Sequence, residues 1–176
     1  SGFLQFGTAG LRGPIGAGPS RMNRAVVGRA ASGIVAYMKE RNLTSVVIGR
    51  DARISGPMIH NLVQNTLLGL GIDVIDLGLS TTPTVEVAVP MEQADGGIIL
   101  TASHNPKQWN ALKLLNGKGE FLSGAEGAKI LEIAEAEAFD FVDVDSLGEV
   151  TVNDAYMDIH IDEVLNLPLV DADAVA

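Results

Sequence analysis

The segment richest in possible chemistry is Thr101-Ala102-Ser103-His104-Asn105-Pro106. It follows Gly96 to Thr101, an apolar run centred on Ile98, Ile99 and Leu100 of the kind that forms a strand buried between helices. Open α/β sheets bind ligands beyond the carboxyl ends of such strands. Small and polar residues there leave the backbone free to bend around an anion, and Pro106 keeps a helix from absorbing them. Ser103 can be read as a nucleophile, a phosphate carrier or a turn residue, since Ser, Asn and Pro are also what turns use. A serine hydrolase is disfavoured. Neighbouring side chains on extended backbone point to opposite faces, which makes His104 a poor general base for Ser103. Thr101 and Asn105 also stand where the Gly-x-Ser-x-Gly elbow needs glycines.

Other polar clusters carry weaker signals. Gly49-Arg50-Asp51-Ala52-Arg53 follows the run Val46-Val47-Ile48, and its charges read as holding the loop after their strand, with Asp51 paired to a neighbouring Arg. Trp109 shields the Ser103 loop or, more simply, packs. His60 and His160 fall on predicted helices far apart in the chain and read as surface or core residues, not ligands. Asp143-Val144-Asp145-Ser146-Leu147 resembles the Asp-x-Asp nucleophile motif of haloacid-dehalogenase phosphatases, with Leu147 where that motif prefers Thr or Val. The same stretch nearly fits a calcium loop, but Leu147 replaces an oxygen ligand, and a solvated acidic connection is the plain alternative to both. Gly69-Leu70-Gly71 closes a helix instead of opening one, and no Gly-Lys-Ser/Thr P-loop is present.

The elements that must position these residues follow from periodicity. Val26, Val27, Ala30, Ala31, Ile34, Val35 and Met38 mark one buried helical face. A strand at 46–48 is followed by Ser55-Gly56-Pro57, a capping residue ahead of Pro near the first helical position, and by a helix ending at Gly71. Ile72 to Leu77 is predicted as a strand, Thr81-Thr82-Pro83 opens a helix stopping near Pro90, and Gly96 to Thr101 closes a second βαβ unit, so these strands are parallel. The step from Thr101 to the next strand, Leu112 to Leu115, is too short for a parallel crossover, which predicts an antiparallel neighbour. Asn116-Gly117 signals a turn, Ser123-Gly124-Ala125-Glu126 has capping-box spacing ahead of a helix with Ile130, Leu131 and Ala134, and a last helix spans roughly Asp154 to Asn166. With no internal repeat, the expectation is one three-layer α/β/α domain with a mixed, mainly parallel sheet.

Composition agrees with a folded domain and hides an asymmetry. The 176 residues are 47% hydrophobic and 19% charged, enough for one core. No apolar run approaches the roughly 18 residues of a membrane span, and no charged-then-apolar leader opens the chain, so neither a membrane partner nor a secretory signal is expected. The absence of cysteine excludes disulfides, thiol catalysis and thiolate metal sites. Taken as an average, the net charge of −10 argues against nucleic acid or phosphate-bearing partners. Residues 1–119, however, hold 11 of the 12 Lys and Arg and 7 acids, a balance of +4, and the remainder carries −14. Chemistry that needs cations belongs in the first two thirds.

Phe6-Gly7-Thr8-Ala9-Gly10-Leu11-Arg12-Gly13, Gly49-Arg50-Asp51-Ala52-Arg53 and the Thr101 to Pro106 loop together resemble, in order and spacing, the first domain of the α-D-phosphohexomutases. That family comprises phosphoglucomutases, phosphomannomutases and phosphoglucosamine mutases, isomerases of carbohydrate metabolism. The resemblance implies that Ser103 is a phosphoserine whose phosphate passes to a hexose phosphate, giving a hexose 1,6-bisphosphate that turns around and returns its other phosphate. It implies a Mg²⁺ on a phosphoserine oxygen, so that Ser103 serves the metal through its phosphate. Arg12 matches the active-site arginine of the first motif, and Lys113 matches a lysine with an acid/base or phosphate-contacting role. Their plain alternatives are an exposed loop arginine and an outward residue on a strand. Asn110-Ala111 departs from the Asn-Gly usual before that lysine. His104 and Asn105 either touch substrate or stabilise the loop.

The family's Asp-Gly-Asp-x-Asp-Arg metal loop is absent, since Asp171-Ala172-Asp173 lacks the remaining members, and so are its sugar-recognition and Arg/Ser-rich phosphate loops. The chain opens without Met and closes in a polar tail. The expectation is therefore a first domain over 1–166, the start of a linker over 167–176, and partners in the remaining mutase domains and a phosphorylated hexose. Such a domain would be cytoplasmic and would not complete the cycle alone. The rivals are a phosphatase using Asp143 and a noncatalytic α/β binding domain.

Overall fold

In the computed structural model, which describes residues 4–7, 10–137 and 139–175, the chain forms a seven-stranded sheet between two helical layers. A short strand β1 (Phe6–Gly7) precedes β2 (Gly10–Pro14). The predicted amphipathic face becomes α1 (Arg24–Lys39), started by Asn23, whose side chain accepts from the Val26 amide at 3.0 Å. Then follow β3 (Ser45–Arg50), α2 (Gly56–Gly69), β4 (Asp73–Leu79), α3 (Thr82–Met91) and β5 (Gly96–Leu100). These are the two βαβ units expected, with β3 parallel to both β4 and β5. β6 (Trp109–Asn116) returns antiparallel to β5, as the short connection requires. The chain closes with α4 (Gly124–Ala136), a 3-10 turn (Val144–Ser146), β7 (Val150–Val152), α5 (Tyr156–Leu165) and α6 (Ala172–Val175).

The strand order is β1-β2-β6-β5-β3-β4-β7, so the sheet is parallel on one side of β5 and antiparallel on the other. Alternation along the strands divides the core. Val46, Ile48, Ile98, Leu100, Leu112 and Leu114 face α1, α2 and α4, where Val27, Ile59, Val63, Leu67 and Ile130 meet them. Val47, Ile99 and Leu115 face the opposite layer, Val85 and Val89 of α3 and Tyr156 of α5. Each such side chain taken from water is worth about 1.5–3 kcal/mol. That pull makes the register unambiguous, because a one-residue slip would exchange the faces. Gly49 leaves room for α3: a Cβ there would lie 2.6 Å from Val85 Cγ2.

One local expectation needs correction. Ser55 does not cap α2; its backbone is helical, and its hydroxyl accepts from Asn110 Nδ2 at 2.8 Å, tying the helix start to β6. β2 and β7 were not legible as strands. Gly10-Leu-Arg-Gly-Pro has the glycine and proline content of a loop, and β7 is three exposed residues within an acidic stretch. Both pair at the flanks of a sheet already specified by its central strands.

The histidines are held within the fold. His60 is buried on α2, with Nε2 3.1 Å from Asp76 Oδ2 and 3.2 Å from Gln64 Oε1, and His160 Nδ1 lies 3.0 Å from the Thr84 hydroxyl. Burial pushes the Asp76 carboxyl up, but the bonds from His60 and from the Gly78 amide outweigh it and leave it below the ordinary range. Among the described residues no helix is long and apolar enough to cross a membrane.

The capping box of α4 forms as its spacing predicts. The Ser123 hydroxyl accepts from the Glu126 amide at 3.3 Å, and the Glu126 carboxylate accepts from the Ser123 amide at 2.8 Å. The Ser123 amide and then its hydroxyl hold the Glu126 carboxyl below its ordinary value. Because the folded state binds the carboxylate form better, this contribution is complete above the ordinary glutamate range and is lost as pH falls through the lowered native value. Ser123→Ala is expected to cost about 1 kcal/mol in urea denaturation near neutral pH. The deficit should shrink in acid, where the unaltered protein loses the same interaction.

Candidate active site

Two loops leave the carboxyl ends of the adjacent parallel strands β3 and β5 and join. Arg50 pairs with Leu100 at the last ladder position, and the Asp51 amide continues the ladder to the Leu100 carbonyl at 3.1 Å. Asp51 Oδ2 accepts from the Thr101 hydroxyl at 2.7 Å, and Thr101 Oγ1 accepts from the Ser103 amide at 3.0 Å. The Arg53 side chain reaches across to the same loop, donating to the Ser103 carbonyl at 2.7 Å. Asp51 pairs with Arg53 at 3.1 Å, as its place in the motif suggested. Sequence reasoning assigned Arg53 to the loop after its own strand and gave Thr101 no separate role; the bonds from Arg53 to the Ser103 loop are what it missed. The signal was a second arginine two positions after an aspartate, but the loop it serves lies about fifty positions onward.

Ser103 has φ 54°, one of four described non-glycine residues in left-handed backbone. That conformation costs a residue with a Cβ about 1 kcal/mol, so its surroundings must impose it. The premise that set His104 apart from Ser103 therefore fails, because the serine is not extended. Both side chains face the same pocket, with Ser103 Oγ 3.4 Å from His104 Nδ1, a long contact for a hydrogen bond.

The pocket has a volume of about 220 Å³, and its lining includes Arg12, Ser103, His104, Ala111 and Lys113. Arg12 and Lys113 reach it from paired strands. Arg12 on β2 lies opposite Ala111 and Gly10 opposite Lys113, so the two cations are diagonal neighbours. Leu11, Leu112 and Leu114, which alternate with them, are buried in the core on the other face. The Lys113 ammonium sits 5.6 Å from the centre of the Phe121 ring, a cation–π distance that limits where it can swing. No carboxylate is among the described lining residues. Thr8 and Ala9 of the first motif lie outside the described residues.

Asn105 is elsewhere. Its side-chain amide donates to the Ala102 carbonyl at 2.8 Å and its own carbonyl accepts from Arg53, so its bonds are to the loop. Ala111 holds a regular ladder position with no left-handed backbone, so the missing glycine leaves Lys113 in register. Trp109 is half-buried at the start of β6, where its carbonyl accepts from Arg53 at 3.0 Å. Asp143 is exposed and precedes the 3-10 turn, not the end of a strand.

A family model described as phosphoglucomutase/phosphomannomutase, alpha/beta/alpha domain I, matches residues 4–141. The chain belongs to this family. Within it, the phosphohexomutase domain is 35% identical over 162 residues to a probable phosphoglucosamine mutase of Methanobrevibacter smithii, covering 92% of this chain and 35% of that protein. It is 36% identical over 149 residues to a phosphoglucomutase/phosphomannomutase of Thermococcus kodakarensis, covering 85% of this chain and 32% of that one. The solved structure of a putative phosphomannomutase from Thermus thermophilus superimposes with TM-score 0.75 at 30% identity, over 86% of this chain and 33% of the other. The chain thus spans about a third of the length of these relatives. The sheet and the core continue past the matched residues, because β7 pairs with β4 and Tyr156 of α5 is buried in the core.

Proposed function

We propose that this is the phosphoserine-bearing domain of a phosphohexomutase that interconverts hexose 1-phosphate and hexose 6-phosphate through a hexose 1,6-bisphosphate. The observation that carries this reading is the pocket in which Ser103, Arg12 and Lys113 meet without a carboxylate. In the forward step the P–Oγ bond of phosphorylated Ser103 breaks as a sugar hydroxyl oxygen bonds to phosphorus, and that hydroxyl gives up its proton. After the bisphosphate reverses, Ser103 Oγ attacks the other phosphate and the sugar oxygen is released. Phosphoryl transfer of this kind depends mainly on alignment and charge stabilisation.

A phosphate on Ser103 carries about −1.5 to −2 charges near neutral pH. Arg12 and Lys113 are placed to offset that charge, and Lys113 or His104 is within the pocket to take or return the hydroxyl proton. The family resemblance adds Mg²⁺, which neutralises transferring phosphate when bound. Among the described residues no group of three or more His, Cys, Asp or Glu could hold a metal ion. The resemblance gives this chain's share in such a site as the Ser103 phosphate, with further ligands and the sugar-recognition contacts assigned to the rest of a longer polypeptide.

The test is hexose phosphate interconversion by the full-length polypeptide with Mg²⁺ and a hexose 1,6-bisphosphate. Arg12→Ala and Lys113→Ala are each expected to lower kcat/KM by roughly 100-fold or more, the usual cost of removing one charge-stabilising donor. Both variants staying within about threefold of the unaltered enzyme would overturn the assignment of the pocket.

A further inference from the structure

We infer that Arg53 is the positioning residue of the Ser103 loop: its guanidinium, spent wholly on protein acceptors, sets where Ser103 presents its oxygen. The catalytic consequence rests on the function proposed above; the structural one does not. A guanidinium has five N–H donors, and all five are engaged. Nε donates to Asp51 Oδ2 at 3.1 Å, Nη1 to the carbonyls of Pro106 and Trp109 at 2.9 and 3.0 Å, and Nη2 to those of Ser103 and Asn105 at 2.7 and 2.8 Å. The side chain is only 12% exposed. Although it lies beside a pocket suited to phosphate, Arg53 has no donor left for a ligand.

What it does instead is gather four carbonyls of residues 103–109 onto one planar cation. Those dipoles would otherwise repel one another, and a lysine, with three donors on a rotating ammonium, cannot reproduce the fork. Asp51 completes the device. Its Oδ1 accepts from the Arg53 amide at 3.0 Å, and its Oδ2 takes the Thr101 hydroxyl whose oxygen accepts the Ser103 amide. Both the N–H and the C=O of Ser103 are thus tied to the same Asp51–Arg53 pair, one through Thr101 and one directly. Fixing both groups holds the residue in left-handed backbone and aims its side chain into the pocket. The arrangement joins the two motif loops into one rigid unit, which in-line transfer needs.

Arg53→Lys and the near-isosteric Thr101→Val test this in the full-length polypeptide by hydrogen exchange and kinetics. Peptides covering 101–109 are expected to exchange at least about tenfold faster in both variants, while those from β3 and β5 keep their protection. Phosphoryl transfer should fall roughly 100-fold in kcat with KM within about threefold. Millimolar guanidinium should restore part of kcat to Arg53→Ala and none to Thr101→Val. Unchanged exchange at 101–109 in both variants, or a loss confined to KM, would overturn the inference. Absence of phosphate from Ser103 in the unaltered polypeptide would instead remove the proposed function, and the exchange result would still decide whether Arg53 holds the loop.

Discussion

Replacing Ser103 with alanine is expected to abolish hexose phosphate interconversion by the full-length polypeptide, by at least roughly four orders of magnitude, because the proposed cycle carries the phosphate on Ser103 between its two half-reactions. The same change should leave the fold almost untouched. Ser103 is exposed, and among the described residues its hydroxyl makes only the long 3.4 Å contact to His104. The bonds that anchor it use its amide and carbonyl, which alanine keeps. Thermal and urea unfolding of the variant should therefore fall within about 0.5 kcal/mol of the parent, as for surface substitutions generally. Near-parental mutase activity in Ser103→Ala would favour the noncatalytic binding domain. Loss of activity through unfolding would be visible in the same denaturation curves.

The second large effect is on stability. Gly10 has φ 147° and lies directly opposite Lys113 in the β2–β6 ladder. A Cβ at Gly10 would land on the Leu112 carbonyl and within 2.8 Å of Lys113 Cα, so backbone, not a flexible side chain, would have to move. Gly10→Ala is expected to cost about 3 kcal/mol or more, at the upper end of overpacking plus backbone strain. It should also lower activity in the fraction that folds, because Arg12 and Lys113 are mounted on that ladder. Gly13→Ala is the control. A Cβ there meets the end of the Leu4 side chain at 3.0 Å, which can turn aside, and the expected loss is below about 1 kcal/mol. Urea denaturation midpoints of the two variants decide the comparison, and equal losses would contradict it.

Where periodicity and local chemistry agree, the chain is readable. The buried stripe of α1, the capping box of α4 and the short, antiparallel return from β5 to β6 each follow from residues within one element or one connection. What escapes is set by partners far along the chain. β2 is a strand because β6 supplies its hydrogen bonds, despite two glycines and a proline in five residues. Ser55 looks like a helix cap until Asn110 takes its hydroxyl. The site divides in the same way. Ser103 stood out by its place after a buried strand and Arg12 and Lys113 by short motifs that resemble a family, and the fold brings these three candidates to one pocket. Residue types could not show that Ser103 is left-handed or that Arg53 imposes this, since both depend on a loop about fifty residues away.

The central claim is that Ser103 carries the phosphate. The most direct test incubates the full-length polypeptide with a saturating hexose 1,6-bisphosphate and Mg²⁺ and reads the product by intact-mass and peptide mass spectrometry. The account predicts one phosphate on the peptide containing Ser103 and none on that peptide in Ser103→Ala. An unmodified Ser103 under those conditions, or a phosphate on Asp143, would contradict it.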